Sequence, residues 1–204
     1  FRVEATDVRI TTSTGVSVYP EDGHEVEVLV RNSGAALYHA KSEGRNNLQF
    51  FIPVLNARAK ERLVLENDLR SAVQQDELTL YYQPQVNMAT ERMMGVEALL
   101  RWRHEKGILM PAEFIAVAEE SGTIIAIGDW VLREACRQQR VWADEGVRLT
   151  MAINVSAVQF RRPDFPELLA RILGETGVDP GFIELEVTEG MLMRDVETTI
   201  HTLE

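Results

Sequence analysis

Three oxygen-bearing side chains, Glu97, Asn154 and Glu186, stand on three separate apolar segments of this 204-residue chain. Each segment alternates in the period-two pattern of a strand, whose side chains take turns on two faces. In 93–102, Gly95, Glu97, Leu99 and Arg101 share one face. In 149–155, Leu149, Met151, Ile153 and Val155 form the apolar face and leave Thr150, Ala152 and Asn154 on the other. In 182–188, Ile183, Leu185 and Val187 are apolar and oppose Glu184, Glu186 and Thr188. A carboxylate inside a sheet core is costly unless it is paired or bound to a metal. Two carboxylates and an amide oxygen are hard donors suited to Mg2+ or Mn2+. Arg101 shares the Glu97 face and is able to grip a phosphate through charge-assisted hydrogen bonds. A metal and an arginine around one point suggest phosphoryl chemistry. The same spacing also fits a buried ion pair of Arg101 with Glu97 or Glu186 and no ligand, and spacing alone does not choose between the two.

The elements that must position these residues follow from the remaining pattern. Strands are expected at 78–85, closed by Pro84, and at 93–102, 149–155 and 182–188. Helices are expected at 111–121, 128–145, 166–176 and from 195 onward, with Gly146 and Gly177 as stops. Pro111 suits the first turn of its helix, where a missing donor does no harm. This alternation argues for a parallel α/β sheet, either open and doubly wound or closed as a (β/α) barrel. Helix-covered strands need an apolar outer face, so the polar set is expected inside a barrel. Asn154 and Glu186 then lie toward the C-terminal strand ends, where barrel enzymes build their sites. No glycine-rich phosphate loop follows any strand, which weighs against dinucleotide-cofactor binding.

Upstream, 1–53 reads as a strand over 8–19, a turn at Pro20-Glu21-Asp22-Gly23, a helix over 25–43 ended by Gly44, and a strand over 47–52. That is too little chain to bury a core alone, so it reads as part of a domain. Residues 54–75 are charged and free of glycine and proline, a connecting helix with a solvated face. The chain thus divides into 1–53, 54–75 and 76–204. The formal net charge of -11 repels nucleic-acid backbones, so duplex nucleic acid is not an expected partner, whereas a small anion held by local cations is. The one cysteine, Cys136, permits no internal disulfide and fits packing in a reducing cytoplasm. No apolar run approaches the roughly 20 residues that cross a bilayer.

The motifs resemble a known family. Glu97-Ala98-Leu99-Leu100-Arg101-Trp102 resembles the signature that names the EAL domains. Tyr82-Gln83-Pro84, the run 114–138, Ile153-Asn154-Val155-Ser156 and Glu184-Leu185-Glu186-Val187-Thr188-Glu189 are similar to that family's neighbouring motifs, in order and spacing. The resemblance implies a modified TIM barrel whose first strand runs antiparallel, so the EAL part is expected as a partial barrel. It implies metal-dependent hydrolysis of one phosphodiester bond of cyclic di-GMP to linear pGpG. By resemblance, Glu97, Asn154 and Glu186 are ligands in a two-metal Mg2+ or Mn2+ site of which only some ligands are in this chain. Gln83, Leu100 and Arg101 would contact cyclic di-GMP. Glu97 and Glu189 would be catalytic, Glu189 by anchoring a loop also linked to dimerisation, so an EAL-mediated homodimer is expected. Glu105 stands where the family often has Pro, and Gly190 where Ser is common. His104 is read as structural rather than as a general base.

The front zone resembles the closing third of a GGDEF domain, through 12–20, 36–41, Gly44-Arg45-Asn46 and Phe50. Its naming motif does not occur in these residues, so no cyclic di-GMP synthesis is expected of them. Lys41 and Arg45 are read as cations favoured by a helix C-terminus. The later EAL motifs, an Asp-Asp pair, a lysine and a further glutamate, do not occur either. The sequence is therefore expected to be an excerpt, inactive alone, of a larger cytoplasmic GGDEF–EAL protein that has room for a membrane anchor upstream. The competing reading is a catalytically silent cyclic di-GMP receptor. Such receptors often lose metal ligands, and none of those expected in this stretch is lost.

Overall fold

Two units, Phe1–Leu65 and Glu66–Glu204, make up the chain. The structure, a computed structural model, describes residues 2–3, 6–7 and 10–187. The first unit contains β1 (Arg2–Val3) and β2 (Thr6–Asp7), an antiparallel pair. It also contains β3 (Thr14–Val16), α1 (Val26–Ser42) and β4 (Leu48–Phe50), with β3 and β4 parallel. Helix α1 crosses close over β3: a Cβ on Gly15 would lie 2.1 Å from the Leu37 nitrogen and 2.2 Å from the Ser33 carbonyl oxygen. Only glycine permits that approach. Ala36, Phe51 and Leu55 are the small buried cluster beneath. The strand expected over 8–19 is realised at 14–16 alone within the described residues, because β4 offers three residues to pair with. Helix α2 (Val54–Ala72) follows; Leu55 is buried near its start, and Leu69 and Ala72 near its end.

The second unit begins with β5 (Leu78–Asn87), β6 (Arg92–His104) and β7 (Gly107–Leu109). Helices α3 (Pro111–Ser121) and α4 (Ile124–Asp144), strand β8 (Thr150–Asn154), helices α5 (Ala157–Phe160) and α6 (Phe165–Thr176) and strand β9 (Ile183–Glu186) follow. One sheet runs in the order β5-β6-β8-β9, with β7 on the far end of β6. Strands β6, β8 and β9 are parallel, but β5 and β7 run antiparallel to β6. The all-parallel sheet expected from alternation alone is thereby corrected. A four-residue link from β5 to β6 is far too short for a parallel crossover, which needs a dozen residues or more. The antiparallel first strand is the one the family resemblance implies.

Two other boundaries differ from expectation. Pro84 does not close β5 but sits within it, opposite Val96. Among the described residues β5 pairs on one side only, and an edge strand tolerates a residue without an N–H donor. Helix α4 starts at Ile124, and Gly128 lies in its second turn rather than at its start. Ile124, Ile127 and Val131, at helical spacing, carry the buried stripe across the glycine. The strand expected over 182–188 spans Ile183–Glu186, and the helix expected from 195 lies outside the described residues.

The core lies between the sheet and its helices. Val96, Ala98, Leu100 and Trp102 of β6 and Met151 and Ile153 of β8 are buried, as are Phe114, Ile127, Leu132, Phe165 and Ile172 of the helices. Trp102 is fully buried, edge-on to Phe114 at 5.6 Å, and its indole N–H donates to Glu77 Oε2 at 3.0 Å. Burial of each such large side chain contributes about 2–3 kcal/mol. That packing fixes which face of β6 is turned away from the helices.

Candidate active site on the open face of the sheet

With Val96, Ala98, Leu100 and Trp102 turned to the helices, strand alternation puts Glu97, Leu99 and Arg101 on the opposite face. Glu97 pairs across the parallel ladder with Ala152, and Asn154 stands directly beside Glu186 on β9. The three sequence-predicted residues are thereby brought to one face of three adjacent strands. Asn154 donates its amide Nδ2–H to Glu97 Oε1 at 2.7 Å. Glu186 is half-buried, and its carboxyl is pushed above the ordinary range. Burial is the larger cause, and the negative charges of Glu97 and then Glu184 add to it. One amide thus stands between two carboxylates, Glu97 and Glu186.

Gln83 lies opposite Glu97 in the antiparallel β5–β6 register, so it borders the same cluster. The Arg101 guanidinium donates to the Leu100 carbonyl oxygen at 2.7 Å and lies 5.4 Å from the centre of the Tyr81 ring. Among the described residues, no ion pair joins Arg101 to Glu97 or Glu186. The alternative of a closed pair without a ligand is therefore not the arrangement formed. Leu100 is placed differently from Glu97 and Arg101: it is buried on the helix side. There it lines a cavity of about 360 Å³ together with Leu99, Asn154 and Ser156. Glu189 lies outside the described residues.

Three contributors to this region were not singled out from sequence. Leu99 also borders the cavity, and strand parity already put it on the Glu97 face. Gln159 follows Ser156, which caps α5 by accepting from the Gln159 backbone N–H at 3.2 Å, a Ser-x-x-Gln helix-start pattern. Its side chain lies against Gly128: a Cβ there would be 2.2 Å from Gln159 Oε1. A glycine inside an apolar helical pattern was the signal for such close approach. Arg162 bridges Asp129 at 3.1 Å and Asp164 at 2.6 Å, which ties the segment after Asn154 to α4.

His104 has a structural part, as expected. Its Nε2 lies 3.2 Å from Asp68 Oδ2, and its ring is 4.8 Å from Trp102 with the side chain 4% exposed. Lys41 falls in the last turn of α1, and Arg45 follows its end. Cys136 is buried in the core. No helix among the described residues is long and apolar enough to cross a membrane.

Among the described residues no three His, Cys, Asp or Glu gather, so an all-carboxylate or histidine site is absent there. Glu97, Glu186 and the Asn154 amide do gather, and these are hard oxygen donors whose like charges a cation would offset. They fit part of a divalent-cation site.

A mixed sheet with an antiparallel first strand, parallel strands under helices, and an acidic cluster on its open face is the opening of a TIM-like barrel. Residues 66–204 match the EAL domain family, and the chain belongs to it. Residues 1–47 match the diguanylate cyclase, GGDEF domain. The chain is 42% identical over 206 residues to the bifunctional diguanylate cyclase/cyclic di-GMP phosphodiesterase MucR of Pseudomonas aeruginosa, covering 100% of this chain and 30% of that protein. It is 43% identical over 197 residues to the cyclic di-GMP phosphodiesterase NbdA of the same organism, covering 96% of this chain and 25% of that protein. The chain therefore spans less than a third of these curated relatives. Among solved structures, the PaMucR phosphodiesterase in complex with c-di-GMP matches with a TM-score of 0.67 and 42% identity, over 69% of this chain and 57% of that chain.

Proposed function

We propose that this chain contributes the first part of a metal-dependent active site that hydrolyses cyclic di-GMP to linear pGpG, in a protein combining GGDEF and EAL units. The observation that carries the reading is the junction of Glu97 and Asn154 at 2.7 Å, with Glu186 beside Asn154 on the next parallel strand. Support comes from the relatives, two of which are named as cyclic di-GMP phosphodiesterases, and from the c-di-GMP complex of the matching structure.

Glu97, Asn154 and Glu186 would hold Mg2+ or Mn2+ through carboxylate and amide oxygens. When bound, the cation supplies a water of lowered pKa and neutralises charge building on the phosphate. Arg101, with no carboxylate partner among the described residues, offers its remaining N–H groups to a phosphate of the substrate. Gln83, beside Glu97 in the register, orients the substrate backbone there. The largely apolar cavity lined by Leu100, Pro111 and Ile115 receives one base, and Asn154, which also lines it, joins it to the acidic cluster. The same reading makes Glu189 a catalytic residue and the protein a cytoplasmic homodimer.

The test is incubation of the full-length protein with cyclic di-GMP and Mg2+ or Mn2+, with chromatography for pGpG. Glu97→Ala and Asn154→Ala are each expected to lower turnover by more than about a hundredfold, as losses at a metal centre do. Wild-type turnover in either variant would remove the site assignment. Binding of cyclic di-GMP by the wild type without formation of pGpG would favour a receptor instead.

A further inference from the structure

Tyr81 is a large aromatic side chain left 49% exposed in the middle of β5. Leu78 and Leu80 of the same strand lie opposite Trp102 and Leu100 and are buried like them. Alternation therefore turns Thr79, Tyr81 and Gln83 to the open face that carries Glu97 and Arg101. There Tyr81 stands opposite Leu99, and Thr79 opposite Arg101, so Tyr81 and Arg101 are diagonal neighbours across the antiparallel pair. The central carbon of the Arg101 guanidinium lies 5.4 Å from the ring centre. That is within the roughly 6 Å at which an aromatic face holds a cation. One N–H of the guanidinium is spent on the Leu100 carbonyl oxygen at 2.7 Å. The group carries about five N–H donors in a rigid fork, so most stay unspent. Among the described residues no carboxylate pairs with it.

An arginine that binds phosphate gains from an anchor that does not compete with the phosphate. A loose arginine side chain has a large rotamer entropy, and a ligand that must order it binds more weakly. A carboxylate would order the side chain, but it would also neutralise the charge and occupy the N–H fork. An aromatic face attracts the cation through its quadrupole, takes up no N–H and leaves the charge in place. We propose that Tyr81 is a positioning residue for substrate binding: its ring and the Leu100 carbonyl hold the Arg101 guanidinium ready, with charge and donors free for a phosphate. This rests on the reading of Arg101 as a phosphate-binding residue of a cyclic di-GMP site. Tyr81 acts through Arg101 and needs no contact of its own with the substrate.

The test is calorimetric titration of the full-length protein with cyclic di-GMP in Ca2+, to avoid hydrolysis. Tyr81→Leu, which removes the aromatic face, is expected to weaken binding about two- to fivefold, the worth of an exposed cation–ring contact. Tyr81→Phe keeps the face and is expected to stay within about 1.5-fold of the wild type. In an Arg101→Ala background, Tyr81→Leu is expected to change affinity by less than about 1.5-fold, because the residue it acts through is gone. An equal loss in both backgrounds would mean that the ring touches the ligand itself or merely supports the strand, and that result overturns the proposal. So does a Tyr81→Leu protein with wild-type affinity, or a Tyr81→Phe protein that falls as far as Tyr81→Leu. Should Tyr81→Leu fail to fold, pentafluorophenylalanine at position 81 takes its place, since it keeps a phenyl ring and strips the negative charge from its face. It is expected to bind cyclic di-GMP about two- to fivefold more weakly than Tyr81→Phe, and equal binding by the two overturns the proposal. If the wild type binds no cyclic di-GMP, the proposed function itself fails. If it binds, and Arg101→Ala weakens binding while Tyr81→Leu does not, only the inference about Tyr81 falls.

Discussion

Gly128→Ala carries a consequence whose sign depends on one neighbour. In an open helix interior, alanine is about 1 kcal/mol better than glycine. At this position the added Cβ would lie 2.2 Å from Gln159 Oε1, 2.4 Å from Cδ and 2.5 Å from Nε2. Non-bonded heavy atoms rest about 3.5–4.0 Å apart, so the amide must retreat by more than about 1 Å. It has no route to solvent, because Gln159 is 2% exposed, and must turn toward the cavity. Overpacking of this kind costs about 1–3 kcal/mol. Set against the helical gain, the net is a destabilisation of about 1 kcal/mol, or about 3 °C in Tm for a chain of this size. In a Gln159→Ala background the obstacle is gone, and the same substitution should stabilise by about 1 kcal/mol. Thermal melts of the wild type, both single variants and the double variant close the cycle, with an expected coupling near 2 kcal/mol between the two sites. A Gly128→Ala protein that melts higher than wild type in both backgrounds would refute the contact and the reasoning built on it.

Arg101→Ala should weaken cyclic di-GMP binding by about tenfold to a hundredfold, the worth of hydrogen bonds to a charged group, as read by calorimetry in Ca2+. Thermal stability should barely change, since Arg101 has no ion-pair partner among the described residues. Burial pushes the Cys136 thiol from 9.0 up to about 11. Because the folded value is the higher one, its contribution to stability is intact below pH 9 and is lost as pH rises toward 11. Cys136→Ala should therefore flatten the alkaline fall in Tm, and the native thiol should resist labelling at pH 8 until the protein is unfolded.

The face of β6 that carries the site was legible because a period of two leaves no freedom: once Ala98, Leu100 and Trp102 are buried, Glu97 and Arg101 must point away. Helix α3 was legible because Pro111 opens an apolar helical run. Pro84 was misleading because its effect depends on a tertiary fact, the lack of a second neighbour for β5, that no local signal encodes. Gly128 was taken for a helix start because glycine disfavours helix locally. Its actual role is to make room for a side chain 31 positions further along, and separation in sequence hides that contact. The cavity was invisible for the same reason: it is bounded by three stretches, 98–100, 111–131 and 154–159, that only the fold brings together.

The acidic cluster is poorly explained by stability alone. Glu186 is half-buried near the Glu97 and Glu184 carboxylates, its pKa is raised by that burial and repulsion, and Glu97 accepts a hydrogen bond from the Asn154 amide. A fold selected only to persist would place a neutral group at 186. Glu186→Gln keeps the shape and removes one of the opposed charges, so the metal-free protein in a chelator at pH 7.5 should melt about 1–2 °C higher than wild type, the range for a change worth about 0.5 kcal/mol. On addition of Mg2+ or Mn2+, the wild type should gain stability by mass action, while the variant should gain much less. The two shifts have opposite signs, so a general loosening of the fold cannot imitate the pair. If Glu186→Gln lowers the Tm in chelator, the carboxylate is a net structural asset, and the argument that these three strands hold it for a cation loses its physical basis.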